Sequence, residues 1–410
     1  MELKTKLDMN ETDKSYKLSL SLIIIISCTW FAAAVSLFSD SINSIALYCA
    51  LPVAFLITFI KNSWVRKNRY LSLLLYLYCW ILCSACWADN TELALRQIKQ
   101  ILGTALFCYI IAANGQKTKN LPWLYLTFII LLFGDWYYAY NNIFDVIDVG
   151  VDRLDDEKLN ANSLAYHTFY VTMAIYVLGT LDNFRFRKIF RWLFLLTIPL
   201  SFQTALLTAS RQVLLIQAPF IFLLLIVRYY TKISAVKRIL FIICLVAACA
   251  TLGHKVFSEY ENSTLHQRAE KDLKEDSRTK LMKDAFKVGM EHQPFGVGAG
   301  NYIVYSYNKH FSHNNYLELF ANEGIIGLWI YLWIMFHFMK VQINRYKKFK
   351  DKYFLVFAFF GLFYIIDGFF YVFYAQIWLI SFFILVATHS DTYYKTKMLE
   401  YGNKRNRNTY

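Results

Sequence analysis

Proline and glycine are scarce in this chain, five and fifteen in 410 residues, which leaves little sequence for long irregular loops. Charged residues are scarce too, at 18%, against 57% hydrophobic and 18% aromatic, and that balance excludes an ordinary soluble domain of this length. Metal signatures are absent: there is no H-E-x-x-H, no cysteine near the histidines of the polar interval, and no D-x-D pair for a metal-chelated diphosphate. The Gly296-Val297-Gly298-Ala299-Gly300 run lacks G-x-G-x-x-G spacing and follows Pro294 without a strand before it. It reads as a sharp chain reversal that re-aims a loop, not as a nucleotide cradle. No metal and no cofactor are expected. All eight cysteines lie inside apolar runs, so a disulfide framework is excluded. Cys79, Cys83 and Cys86 share one helix face and read as buried small hydrophobes.

What the chain has in abundance is apolar runs of about 20 residues, the length that crosses a hydrocarbon core of roughly 30 Å. They are apolar all round instead of striped, unlike surface helices of soluble proteins. The expected fold is an all-α polytopic membrane protein with about twelve transmembrane helices. The spans fall near residues 18–38, 42–60, 70–88, 93–112, 121–140, 164–181, 189–208, 213–227, 239–253, 317–338, 353–370 and 374–388. A cleaved signal peptide is the rival reading of the first run, but that run is too long for one. The expected organisation is one integral domain: residues 1–253 with nine helices, a large loop at 254–316 with amphipathic helices, and 317–410 with three helices and a tail.

The net charge of +14 invites a nucleic-acid partner, but its distribution argues for membrane lipids instead. Lysine and arginine collect in alternate connections, around Lys61 to Arg69, Lys117, Arg185 to Arg191, Arg228 to Arg238 and Lys340 to Lys352, and in the tail. The other connections are short and acidic or neutral, with Asp40, Asp89, Glu92 and Asp145 to Glu157. By the positive-inside rule both termini are cytoplasmic and the long loop is outside.

Cations on that outer side call for explanation. Arg211, in Ser210-Arg211-Gln212 between two apolar runs, occupies the tip of a helical hairpin near the outer boundary. A charge there marks a site by default, the alternative being an arginine that snorkels to headgroups. Arg96 stands one turn into the fourth span and is spaced to pair with Glu92. Arg278 heads a segment in which Leu281, Met282, Ala285, Phe286 and Gly289 form an apolar stripe, the pattern of an amphipathic helix resting on the membrane or on the bundle, with Ser277 as its N-cap. His313-Asn314-Asn315 lies immediately before the tenth span. A neutral imidazole at that surface is able to accept a proton. Trp136, Tyr137, Tyr138 and Tyr140, at the outer end of the fifth span, suit either sugar stacking or an interfacial aromatic belt.

Ser210-Arg211, Arg278, Pro294-Phe295-Gly296-Val297-Gly298, His313-Asn314-Asn315-Tyr316-Leu317-Glu318-Leu319 and Glu323-Gly324-Ile325-Ile326-Gly327-Leu328 occur in one order. That order, over about residues 205–328, resembles the O-antigen ligase and polymerase superfamily of bacterial envelope glycosyltransferases, with one large periplasmic loop between the ninth and tenth helices in a GT-C-like arrangement. The resemblance implies an enzyme of the bacterial inner membrane, active on its periplasmic face and without a metal. It would move O-antigen polysaccharide from undecaprenyl diphosphate to the lipid A-core acceptor of lipopolysaccharide. It implies Arg211 and Arg278 as diphosphate ligands and His313 as the essential histidine, with Arg96 matched only by position and charge. Asn314 and Asn315 join the candidate substrate-binding residues. The His-Asn-Asn-Tyr-Leu-Glu form and the serine before Arg211 also suit a polymerase that extends lipid-linked repeat units. A lipid-linked glycan flippase is the reading from another class, which midplane charge clusters and inverted repeats would favour.

Overall fold

The computed structural model describes residues 45–62, 68–142, 161–208, 216–230, 277–306 and 309–407. The expected first and ninth spans, Arg211 and most of the polar interval before Ser277 lie outside the described residues. Within them the chain is all helical and contains no strand. The helices are α1 (Leu51–Asn62, preceded by a π turn), α2 (Arg69–Ser84), α3 (Thr91–Gly115), α4 (Leu121–Asn142), α5 (Ala161–Leu178) and α6 (Arg187–Thr208). They continue as α7 (Ala218–Leu225), α8 (Ser277–Glu291), the single turn α9 (Tyr302–Tyr305), α10 (Asn315–Phe349), α11 (Tyr353–Asp367) and α12 (Ile377–Arg407).

Asparagine starts three of these helices. Asn68, Asn90 and Asn314 stand just before α2, α3 and α10, and each side-chain oxygen accepts from a backbone N–H of the first turn. Such caps satisfy donors that a helix start leaves free. Among the described residues four helices are long and apolar enough to cross a membrane: Arg69–Trp87, Thr91–Gly115, Thr118–Asn141 and Asn315–Phe349. Shorter apolar helices accompany them at Tyr48–Ile60, Ala218–Tyr229 and Tyr353–Asp367. Large apolar side chains such as Leu56, Tyr76, Phe133, Leu196, Trp329 and Phe336 point away from the bundle, as they do where the surroundings are lipid. The architecture is that of a helical membrane protein.

The helix ends sort into two faces. On one, Asn68 donates to Thr388 (2.6 Å), Thr180 to Tyr353 (3.1 Å), Arg228 to the Gly179 carbonyl (3.3 Å), and Arg345 to Ser390 (2.8 Å) and Asp391. Arg69, Arg191, Arg228 and Arg345 stand at these helix ends. On the other, the α2–α3 connection, the segment 292–315 and the α11–α12 connection meet. We call this the loop face.

Two expectations need correction. Cys79 and Cys83 on α2 and Cys86 in the 3-10 turn after it are exposed, not buried; where the solvent of an outward face is lipid, small hydrophobes are as much at home there as inside. The tenth span is not one uninterrupted helix from Leu317. Gly324, with φ 66° and ψ −168°, breaks α10, leaving Ile325–Phe349 as its longer helical part, apolar as far as Met339, and Asn315–Glu323 as a shorter piece on the loop face.

Candidate active site on the loop face

The break at Gly324 is what joins the polar segment to the bundle. A helix interrupted there leaves the carbonyls of the preceding turn without intrahelical donors. The Val297 N–H donates to Ala321 and the Gly298 N–H to Asn322, each at 2.9 Å, and the Trp80 indole N–H of α2 donates to Glu323 at 3.0 Å. On the far side of the break the Ile325 N–H donates to Gln293 Oε1 at 2.8 Å. The glycine run is therefore more than a reversal; it supplies backbone donors. Gly296 and Gly298 have φ of 75° and 92°. A Cβ on Gly296 would sit 2.4 Å from the Asn322 carbonyl oxygen, so only glycine lets the strands of backbone approach this closely.

Helix α8 packs on α10 through Leu281, Ala285 and Val288, all buried. With Val297, Tyr302 and Ala321 these make a small core of their own. The Tyr302 hydroxyl donates to the Leu281 carbonyl (3.1 Å) and to Asp284 (3.3 Å); burial, with the Asp284 carboxylate, pushes its phenol well above the usual range. The expected amphipathic helix thus rests on the bundle, while Phe286 and Met290 remain exposed on its other flank. Phe295, also exposed, packs against Trp80 and Trp87 of the α2 end.

The same segment grips the α2–α3 connection. The Asn90 N–H donates to Asn301 Oδ1 (2.7 Å), Asn301 Nδ2 donates back to the Asn90 carbonyl (3.2 Å), and Tyr305 donates to Asp89. That contact brings the start of α3, and with it Arg96, to the edge of the segment. Arg96 is exposed. Among the described residues it makes no ion pair, so the Glu92–Arg96 bridge suggested by the spacing does not form.

His313 sits in a tight turn one residue before the α10 cap. Its φ is 55°, a left-handed conformation uncommon for a side chain larger than glycine, and such outliers recur at functional sites. Neighbours hold it there. The Ser312 N–H donates to the buried Glu318 carboxylate (2.7 Å), and the Ser312 hydroxyl donates to the Asn314 carbonyl (2.9 Å). The half-buried imidazole rests beside the Phe311 ring, centroids 4.7 Å apart.

Both asparagines are committed to backbone. Asn314 Oδ1 accepts from Tyr316 and Leu317, each at 3.0 Å, and its Nδ2 donates to the Phe369 carbonyl (3.3 Å). Asn315 Oδ1 accepts from the N–H groups of Phe373 (2.8 Å) and Tyr374 (2.7 Å), while its own N–H donates to the Gly368 carbonyl (2.8 Å). They tie the His313 turn to the α11–α12 connection. Asn315→Ala strands two buried N–H groups, and a loss of about 3 kcal/mol is expected, since each buried unpaired group costs about 1–3 kcal/mol. Thermal unfolding in detergent reads it directly; an unchanged midpoint would show that these bonds are dispensable.

Arg278 is the second residue of α8, in helical register with Met282, Ala285 and Gly289. Arg211 lies outside the described residues, between the end of α6 and the start of α7, which Gln217 joins to α5 through Thr172 (2.9 Å) and to α6 through Ser201 (2.6 Å). The structure thus brings His313, Asn314 and Asn315 together, and the segment that carries them also carries Arg278 and meets the start of α3. Sequence reasoning assigned no role to Glu318, which orients Ser312. An acidic residue in the first turn of a capped helix was the available signal. Among the described residues no group of three His, Cys, Asp or Glu side chains is placed to hold a metal ion.

A multi-pass helical bundle with a polar segment docked across one end, anchored in a helix break, is the class that fold and site define. Residues 193–332 match the family model described as O-antigen ligase, which bears out the resemblance carried by the motifs. The matched region includes Arg211, Arg278 and His313 to Asn315 and excludes Arg96. No curated protein matches the chain. The family match implies an O-antigen ligase or polymerase type of function, that of a membrane enzyme working on lipid-linked glycans.

Proposed function

We propose that this protein is a glycosyltransferase that moves O-antigen polysaccharide from undecaprenyl diphosphate to the lipid A-core acceptor, with the loop face in the periplasm. The observation that carries the reading is the His313 turn. It is a strained, braced imidazole at the outer end of α10, inside the family-matched region and on the segment that also bears Arg278. In this reading the acceptor hydroxyl attacks the anomeric carbon and gives its proton to His313. The bond from that carbon to the diphosphate oxygen breaks, and its electron pair leaves with the diphosphate. Arg211 and Arg278 stabilise the charge that grows there, a task for which the planar guanidinium fork is suited. Diphosphate is a good leaving group and needs no strong general acid. Direct attack inverts the anomeric centre, and no metal takes part. Arg96, at the rim, is a further cation for the diphosphate.

The test is reconstitution of the purified protein in vesicles with lipid-linked glycan and either lipid A-core or lipid-linked repeat units as acceptor, with and without chelator. Glycan on lipid A-core, undiminished by chelator, is the expected result. Elongation of repeat units alone would make it a polymerase, a reading the His-Asn-Asn-Tyr-Leu-Glu form and Ser210 also suit. Passage of lipid-linked glycan across the bilayer without transfer would make it a flippase.

A further inference from the structure

Three strips of side chains run along α8, and the bundle accounts for one of them. Leu281, Ala285 and Val288 are buried against α10. Away from that contact Lys280, Lys283 and Lys287 stand exposed, three or four residues apart; Lys287 also reaches Glu291 at 3.9 Å. Between these two strips lies a second apolar one, with Met282, Phe286 and Met290 spaced by four residues. Phe286 is 53% and Met290 57% exposed. Water gives such a strip no stabilisation. An apolar flank bordered by lysines is the form a helix takes at a membrane surface, where lysine stems lie along acyl chains and the ammonium groups reach headgroups.

What adjoins the strip identifies its occupant. Helix α8 covers the first piece of α10: a Cβ on Gly289 would meet the Phe320 ring, and Phe286 stacks on that ring with centroids 6.0 Å apart. The chain leaving α8 reaches the break, where Gln293 accepts from the Ile325 N–H. Directly beyond it Ile325, Trp329, Trp333 and Phe336 are exposed in one row down α10. On the other side exposed Phe295 packs against Trp80 and Trp87, with centroids 6.1 and 5.8 Å away. Past those rings Tyr76, Cys79 and Cys83 face outward from α2. Phe286, Met290 and Phe295 therefore continue the lipid-facing surface of α2 and α10 onto the polar segment. Charge decides the kind of lipid, because a lysine edge complements anionic headgroups.

We propose that α8 is seated in the bilayer leaflet on the loop-face side, with Phe286, Met290 and Phe295 among acyl chains and Lys280, Lys283 and Lys287 at anionic lipid phosphates. The inference stands apart from the transferase reading. Because the same segment is locked into the Gly324 break, the seat fixes the depth of the loop face relative to the headgroups. The experiment uses the full chain in vesicles of phosphatidylethanolamine and phosphatidylglycerol, with a photoreactive diazirine on the acyl chain of one lipid or the other. Labelled residues are located by mass spectrometry. Phe286 and Met290 are expected to label to within about threefold of Trp329 and Trp333, as an interfacial flank does beside a spanning one. Phosphatidylglycerol should label them about fivefold more than its share, roughly what one lysine near a charged surface is worth. Lys280→Gln combined with Lys283→Gln should remove that excess, and unfolding midpoints report whether the variant is folded. Unlabelled Phe286 and Met290 beside labelled Trp329 and Trp333 overturn the proposal, whether water, a second copy or residues 231–276 cover the flank. Labelling without any preference for phosphatidylglycerol in the unaltered chain overturns the placement of the lysines.

Discussion

His313→Asn is expected to lower the transfer rate by about 10²- to 10⁴-fold, the range typical of a lost general base, with the unfolding midpoint unchanged. Asparagine is the informative substitution because His313 holds a φ of 55°, and asparagine tolerates that conformation better than alanine does. Alanine would mix a backbone penalty with the chemical one. Bonds from Ser312, Asn314 and Glu318 and from the α11–α12 connection shape the turn. Rates measured under single turnover, with preformed donor complex, separate the chemical step from binding. A variant that keeps the wild-type rate would remove His313 from the reaction and leave it a turn residue only.

Among the described glycines, Gly324 is expected to lose the most stability on substitution by alanine. The new Cβ would stand 2.0 Å from the Pro294 carbonyl oxygen, at a φ of 66° that side chains rarely adopt. Relief requires the segment 293–298 to move away. That abandons the bonds from Val297 and Gly298 to Ala321 and Asn322 and the Gln293 cap on Ile325. A cost of about 3 kcal/mol or more is expected, combining backbone strain with stranded polar groups. Gly103→Ala is the matched control. It lies inside α3 with nothing within 4 Å of its would-be Cβ, so a change of about 1 kcal/mol or less, in the stabilising direction, is expected. Unfolding midpoints in detergent, with limited proteolysis between residues 277 and 315, distinguish the two. A Gly324→Ala protein as stable and as resistant as wild type would mean that the break does not anchor the segment.

The helices could be read in the chain itself. Runs expected near 70–88, 93–112, 121–140 and 353–370 appear as Arg69–Ser84 with its following 3-10 turn, Thr91–Gly115, Leu121–Asn142 and Tyr353–Asp367, because an all-round apolar stretch of that length has one way to satisfy its backbone out of water. The break at Gly324 was hidden for the same reason: its neighbours on the C-terminal side are apolar, and apolarity alone carries no mark of interruption. Asn314 and Asn315 stood out as polar residues at a surface, where caps and substrate ligands look alike until the bonded carbonyls and N–H groups are seen. Asp135 and His167, hydrogen-bonded between α4 and α5 and separated by 31 intervening residues of which most are apolar or acidic, gave no local pattern at all.

By itself the amino-acid order determined most of the described helices, which connections carry the positive charge, and which motifs stand in family order. These follow from short-range terms: the hydrophobicity of a run, the cap before it, the charge beside it. Only the tertiary structure decided that Gly296 and Gly298 lock into the Gly324 break, that Asn315 anchors the His313 turn, and that Asp135 meets His167. Each of those pairings joins groups distant in sequence, and a hydrogen bond of about 3 Å exists only once packed helices have brought its two ends together.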